Sequence, residues 1–200
     1  MFHPIHMTMN SKNKLEKDKY EWLNANTQYG SAFHGKKFLP LIRKIITHYN
    51  CDSLLDVGTG QGQFCESIRQ CCDKVIGLDW CIDQPEHIKN KDITFISSDA
   101  VNMPLEDNSV DITTSFDFFE HIIPDHVELV IKEMTRVTKK ILIHNINTNT
   151  PSTTMRGTLE KMFGDGELHQ TIRTRGWWEE LFSKYGHVLK GSKGLIVVIL

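Results

Sequence analysis

Three acids and a run of glycines are the residues of this 200-residue chain whose spacing could do chemistry. The segment Leu54-Leu55-Asp56-Val57-Gly58-Thr59-Gly60-Gln61-Gly62 is an apolar strand-like run that enters a glycine-rich turn and then a helical pattern. Glycines at such a turn let the backbone bend tightly and let a ligand approach with no Cβ in the way. The start of the following helix adds N–H groups with no partner inside the helix. The spacing is G-x-G-x-G, which is neither the G-x-G-x-x-G of dinucleotide folds nor the G-x-x-x-x-G-K-[ST] of phosphate loops. Asp56 precedes the first glycine. A carboxylate there repels a pyrophosphate and suits a cationic amino-acid moiety. Asp79 ends the next apolar run, about twenty residues past the glycines, the distance at which dinucleotide folds grip a ribose diol. Trp80 beside it can lie against an adenine face. Asp99-Ala100, after a third run, offers a carboxylate to the adenine amino group. Each acid alone reads as a turn or cap residue. Three at successive strand ends, on one edge of a sheet, point to a nucleoside that carries positive charge.

A second group could act on an acceptor. Asp117, Glu120 and His121 follow the fourth apolar run, and His169 lies within Gly164–Arg173, ahead of Trp177-Trp178. His169 sits in an irregular stretch and not on an apolar face, which favours a functional role. His121 divides evenly between the two roles, and His144, at a strand end, fits a structural one.

These residues need elements to position them. Phe38, Leu41, Ile42, Ile45, Ile46 and Tyr49 recur at helical spacing, so a helix is expected from Lys36 to about Asn50. Strands are expected at Ser53–Val57, Lys74–Leu78, Thr94–Ser97, Val110–Ser115 and Lys140–Asn145. A helix carrying Val127, Val130, Ile131, Met134 and Val137 lies between the last two, with Asp125 near its start. The alternation of strand and helix predicts a parallel sheet covered on both faces. A polar stretch from Ile146 to Arg173 is too long for an ordinary connection and predicts a loop at the active site. A helix at 175–185 follows, with Trp177, Leu181, Phe182 and Tyr185 packing on the sheet. Two last strands are expected at 187–190 and 195–200. Residues 1–19 are polar and rich in Lys, Asn and Ser, and read as a flexible tail ahead of a single domain at 20–200.

Composition is that of an ordinary soluble domain, with 40% hydrophobic and 24% charged residues. A formal charge of −2 gives no general attraction to phosphate backbones, so nucleic acid is not the expected partner. The five cysteines (Cys51, Cys65, Cys71, Cys72, Cys81) form no C-x-x-C pair, which suits reduced thiols in a cytoplasmic setting. No apolar stretch reaches membrane-spanning length. Oligomeric state is not encoded in any pattern found.

The region from about Ser53 to Glu133 resembles a class I S-adenosylmethionine-dependent methyltransferase, of the broad small-molecule and sugar type. Asp56–Gly62 resembles its first motif, Asp79 its ribose-binding acid, and Asp99-Ala100 its adenine-binding pair. Asn102-Met103-Pro104-Leu105 with Asn108-Ser109-Val110-Asp111 resembles the family's approach to the fourth strand, and Ser115–Ile122 the segment after it. The resemblance implies a Rossmann-like doubly wound α/β sheet of seven mostly parallel strands, closed by an antiparallel hairpin. It implies S-adenosylmethionine as cofactor, held by Asp56, Gly58, Gly60, Gly62, Asp79, Trp80, Asp99, Ala100 and Phe116. The acceptor it implies is a small molecule, methylated at oxygen or nitrogen, with His121 and His169 as catalytic candidates. Asp117-x-x-Glu120-His121 with a later histidine also resembles the metal-ligand set of RNA 3′-end 2′-O-methyltransferases and quinone-pathway O-methyltransferases, although their first ligand is usually Glu. A dehydrogenase is disfavoured by the glycine spacing and Asp99-Ala100. A non-catalytic relative would show a broken nucleotide site, and these motifs are intact.

Overall fold

The computed structural model describes residues 11–29, 33–82, 88, 92–148, 155–189 and 194–200. Strands β1 (Ser53–Val57), β2 (Lys74–Asp79), β3 (Ile93–Ser97), β4 (Val110–Phe116), β5 (Thr138–Asn145), β6 (His187–Val188) and β7 (Ile196–Ile199) form one sheet in the order β3-β2-β1-β4-β5-β7-β6. The first five are parallel, and β7 runs antiparallel to both β5 and β6. This is the expected seven-stranded Rossmann-like arrangement. Burial explains the unbroken apolar runs: all five residues of β1 and all seven of β4 are buried, because each strand has neighbours and a covered face on both sides.

Helices cover the sheet from two sides. On one, α4 (Pro124–Val137) and α6 (Arg175–Phe182) place Val127, Val130, Ile131, Met134, Trp178, Leu181 and Phe182 in a core with Leu55, Leu78 and Leu142. On the other, α2 (Leu39–His48) and α3 (Gln63–Ile68) pack Ile42, Ile46, Phe64, Cys65 and Ile68 against Leu54, Val75 and Ile112. Fully burying one such side chain contributes roughly 1.5–3 kcal/mol. Strand order reverses between β1 and β4, and a crevice opens there beyond their carboxyl ends.

Several boundaries depart from expectation. The helix expected from Lys36 begins at Leu39, because Pro40 favours the first helical turn, and His34–Phe38 forms a 3₁₀ turn instead. On α6 the buried tryptophan is Trp178 and not Trp177, since Trp178, Leu181 and Phe182 share one face while Trp177 is exposed. The stretch 146–173 is not wholly loop, as it contains α5 (Arg156–Phe163). Most consequentially, residues 11–19 belong to no flexible tail: Ser11–Asn26 is helix α1. Its inward stripe is Asn13, Glu16, Lys19 and Leu23, all buried, and Leu23 packs with Leu159 of α5 and with Leu168. A stripe of three polar residues gives no amphipathic signal, so composition alone suggested a tail. Residues 1–10 lie outside the described region.

His144 is fully buried, with Nδ1 2.8 Å from Ser115 Oγ and its ring stacked on Phe182. Burial pulls its pKa down to about 3, so it is a neutral packing residue.

Candidate active site

The glycine turn is built by backbone geometry that side chains resist. Gly58, Gly60 and Gly62 have φ of +74°, +54° and +83°. A Cβ on Gly58 would stand 2.5 Å from the Phe118 ring, so Gly58 needs both its left-handed backbone and its missing side chain. Gly58 and Thr59 donate their N–H groups to Leu78 O at 2.8 and 3.2 Å, tying the turn to the end of β2. Asp79, at that end, accepts from Gly60 N at 2.9 Å and from Cys81 N at 3.0 Å, one bond on each oxygen. A carboxylate has about four acceptor positions, so two stay available for ligand hydroxyls. Burial raises the pKa of Asp79, and the N–H bonds partly offset that rise.

Asp56 is buried at the root of the turn and accepts from Thr114 Oγ1 at 2.8 Å. Burial pushes its carboxyl up to about 7 against the pull of the Thr114 and Thr59 hydrogen bonds. Asp99 accepts from Val101 N on Oδ1 (3.1 Å) and from Asn13 Nδ2 of α1 on Oδ2 (2.8 Å).

One cavity of about 600 Å³ is lined by Asp56, Gly58, Gly60, Asp79, Trp80, Asp99, Ala100 and Phe116 at one end. It continues to Asp117, Glu120, His121 and His169, with Tyr20, Tyr29, Phe33 and His34 completing the wall. Every residue predicted for the site lies on this cavity except Gly62. Gly62 instead begins α3, and a Cβ there would meet the Phe95 ring at 2.7 Å. Its requirement is for the turn.

The far end of the cavity gathers titratable groups. Glu120, His121 and His169 each offer one ligand atom, all within 4.8 Å of one another. Glu120 is fully buried; Asn147 N donates to its Oε1 at 3.0 Å. Burial, with the nearby Asp117 charge, pushes its carboxyl up to about 8. His121 is held at Nδ1 by Tyr20 Oη (2.6 Å) and Leu168 O (3.1 Å). Burial and the neighbouring His169 pull its pKa down to about 4. The rings of His121 and His169 meet edge to face, 4.7 Å apart. Asp117 leaves β4 through a left-handed turn (φ +47°) and pairs with His34. Burial alone would raise its pKa, but the His34 bond and charge bring it below the usual range. Asp117 therefore pairs with His34 on one side and borders Glu120 on the other, at the edge of the Glu120, His121 and His169 group.

Backbone bonds carry His169 into place. Thr171 N donates to Glu120 O at 2.9 Å and Thr171 Oγ1 to Ile122 O at 2.7 Å. Tyr20, Tyr29 and His34 are the wall residues that the sequence did not reveal. The aromatic density of residues 20–33 was the available signal, and it lay beside a segment whose polarity suggested a tail.

The sequence pattern of the family described as a methyltransferase domain matches residues 55–141. No curated protein matches the chain in sequence. In three dimensions the chain is similar to 1,6-didemethyltoxoflavin-N1-methyltransferase of Burkholderia thailandensis, solved with 1,6-didemethyltoxoflavin and S-adenosylhomocysteine. Identity is 10% and the TM-score 0.66, over 100% of this chain and 92% of that one. It is also similar to magnesium protoporphyrin IX methyltransferase from Synechocystis PCC 6803, with bound S-adenosylhomocysteine, at 12% identity and a TM-score of 0.65, over 92% and 99% of the two chains. A protein from Bacillus halodurans C-125 shows 19% identity and a TM-score of 0.52, over 69% of this chain and 64% of that one. At these identities the structural likeness speaks for the fold, and the family match covers the glycine turn, all three strand-end acids and the Glu120-His121 pair. Residues 55–141 thus carry the methyltransferase-domain pattern, on the Rossmann-like fold that the chain shares with these methyltransferases.

Proposed function

We propose that this protein transfers a methyl group from S-adenosylmethionine to a small-molecule or sugar-type acceptor, at oxygen or nitrogen. The observation that carries this reading is the single cavity running from Asp56 and Asp79 to His121 and His169, roofed by α1. Such an enclosure suits a small acceptor better than a polymer. The two ligand-bound relatives, whose names give small-molecule acceptors, agree with it. When bound, the cofactor supplies a methyl on a sulfonium, and the protein's task is to align an acceptor atom with it.

The residues divide that task. Asp79 holds a ribose diol, Trp80 and Asp99-Ala100 take the base, Phe116 closes the pocket floor, and Asp56 faces the amino-acid moiety. His169 is the better base. His121 is engaged at Nδ1 and holds a proton too weakly near neutral pH. No helix of the described residues is long and apolar enough to cross a membrane, and all five cysteines are free, which fits our placement of the reaction in the cytoplasm.

Two expected results follow from the cofactor end. Asp79→Ala lowers S-adenosylhomocysteine affinity by roughly 1.5–3 kcal/mol, because ligand hydroxyls lose a buried acceptor. The variant stays folded, and unchanged affinity in calorimetry would move the ribose contact elsewhere. Asp56, with its pKa raised to about 7, is partly protonated near neutral pH. A cationic moiety binds its ionised form, so ligand binding at pH 6.5 releases protons. Calorimetry in buffers of different ionisation enthalpy reads this directly, and Asp56→Asn abolishes the release.

A second reading is favoured by one observation. Glu120, His121 and His169 bring three ligand atoms within 4.8 Å of one another, a carboxylate and two imidazoles of the kinds that bind Mg, Mn or Zn. A cation there would offset the burial of the Glu120 carboxylate and polarise an acceptor hydroxyl, the chemistry of an RNA 2′-O-methyltransferase. The deciding experiment offers methyl-labelled cofactor to separate small-molecule and RNA fractions of a cell extract. Label in the small-molecule fraction supports our first reading, and label confined to RNA supports the second.

A further inference from the structure

Asp99 is held at both oxygens, and the two bonds differ in origin. Val101 N donates to Oδ1 at 3.1 Å, a local bond made by the turn that follows β3. Oδ2 accepts from Asn13 Nδ2 of α1 at 2.8 Å, across 86 positions of sequence. Facing a carboxylate, an Asn amide presents its NH₂ and not its oxygen, so this contact has one direction. The local bond fixes one oxygen and leaves the carboxylate free to swing about it. The bond from α1 removes that freedom. A carboxylate has about four acceptor positions, so two remain for a ligand N–H group. Asn13 reaches Asp99 from outside the ligand space. Trp80, Asp99 and Ala100 line the main cavity, whereas buried Asn13 lines a separate space of about 10 Å³ with Glu16, Trp80 and Asp99. Such a space holds one water at most, so no part of a nucleoside enters it. The helix that presents Asn13 is itself anchored, through Lys19 on Asp165 at 2.9 Å and Leu23 on Leu159 and Leu168.

We propose that Asn13 is a positioning residue for the base of the cofactor: by holding Asp99 Oδ2 it aims the remaining lone pairs of Asp99 at the exocyclic amino group, and so sets the preference of the cavity for a 6-aminopurine. This rests on the reading of the cavity as an S-adenosylmethionine site with Asp99 at the base. The gain comes from order established in advance, since a carboxylate already held in place loses little freedom when the ligand arrives. Helix α1 thereby takes part in cofactor recognition through Asp99, without Asn13 touching the ligand.

The test needs no acceptor. Calorimetry on the full-length protein compares S-adenosylhomocysteine with its 6-deamino analogue, in which hydrogen replaces only the amino group of the base. The wild type prefers S-adenosylhomocysteine by roughly 10–100-fold, the range of one hydrogen bond to a charged acceptor. Asn13→Leu removes the donor and keeps an apolar filling, and Asn13→Ala removes the donor with the smaller intrusion should the leucine not be accommodated. In each the preference falls by roughly fivefold, because S-adenosylhomocysteine binds more weakly while the analogue, which has no amino group to lose, changes little. An Asn13 that served only to dock α1 would weaken both ligands together and leave their ratio at the wild-type value. That unchanged ratio overturns the proposal. A wild-type protein that binds the two ligands equally overturns it as well, since Asp99 then accepts nothing from the amino group. A wild-type protein that binds neither ligand strikes the functional reading itself, so the two failures are told apart.

Discussion

His169→Ala lowers methyl transfer to the acceptor by roughly 10²–10⁴-fold, the range for loss of a positioned general base, while cofactor affinity is unchanged. The reason is geometric. His169 lies at the end of the cavity away from the glycine turn, and it takes no part in the hydrogen bonds of Asp56, Asp79 or Asp99. Its backbone is anchored independently, through His169 N to Glu167 Oε1 at 2.9 Å and through Thr171 to the Glu120 carbonyl. Removing the imidazole should therefore not unseat the segment. A chelator separates the two mechanisms. Activity lost to chelation and restored by a divalent ion assigns Glu120, His121 and His169 to a metal, and indifference to chelation leaves His169 as a simple base. Wild-type turnover in His169→Ala would reduce the segment to a wall of the cavity.

Lys19→Ala costs about 3 kcal/mol of stability, the scale for removing one partner of a buried ion pair. Lys19 is fully buried, and its ammonium meets Glu16 Oε1 at 2.9 Å, Asp165 Oδ2 at 2.9 Å and Glu167 O at 3.0 Å. Its three donors are thus all used. Alanine leaves Glu16 buried without its ion-pair partner, and burial already raises the Glu16 pKa. Asp165 is more than one third exposed, so water screens part of its loss and holds the total near the lower end of the range. Replacing the pair together, as Lys19→Met with Glu16→Leu, should cost far less, because no charge is then stranded. Thermal unfolding of the three proteins reads the difference. Equal melting temperatures for Lys19→Ala and the wild type would show that α1 contributes nothing to the folded state.

Much of this site is legible in the sequence. Strand-end acids and glycine spacing are local signals, and a parallel sheet brings strand ends to one edge whatever the details of packing. That is why Asp56, Asp79 and Asp99 share a cavity with Gly58 and Gly60. The pairing of Glu120 and His121 with His169 was foreseen only as a possibility, since it depends on where a long connection returns. Helix α1 was not legible. Its anchors are Asn13 on Asp99 and Lys19 on Asp165, contacts of 86 and 146 residues' separation, and its buried face is mostly polar. Periodicity of hydrophobic residues cannot register a helix held in this way. The same blindness hid Tyr20 and Tyr29, and it set the expected tail nine residues too far into the chain, at 19 where the helix starts at Ser11.

The central claim is that the cavity beside the glycine turn binds S-adenosylmethionine and not a dinucleotide. Titration of the purified protein with S-adenosylhomocysteine and with NAD, in the same calorimeter and buffer, tests it most directly. The expected result is a micromolar Kd for S-adenosylhomocysteine, about −8 kcal/mol, and no measurable heat with NAD. Binding of NAD in preference to S-adenosylhomocysteine would contradict the account.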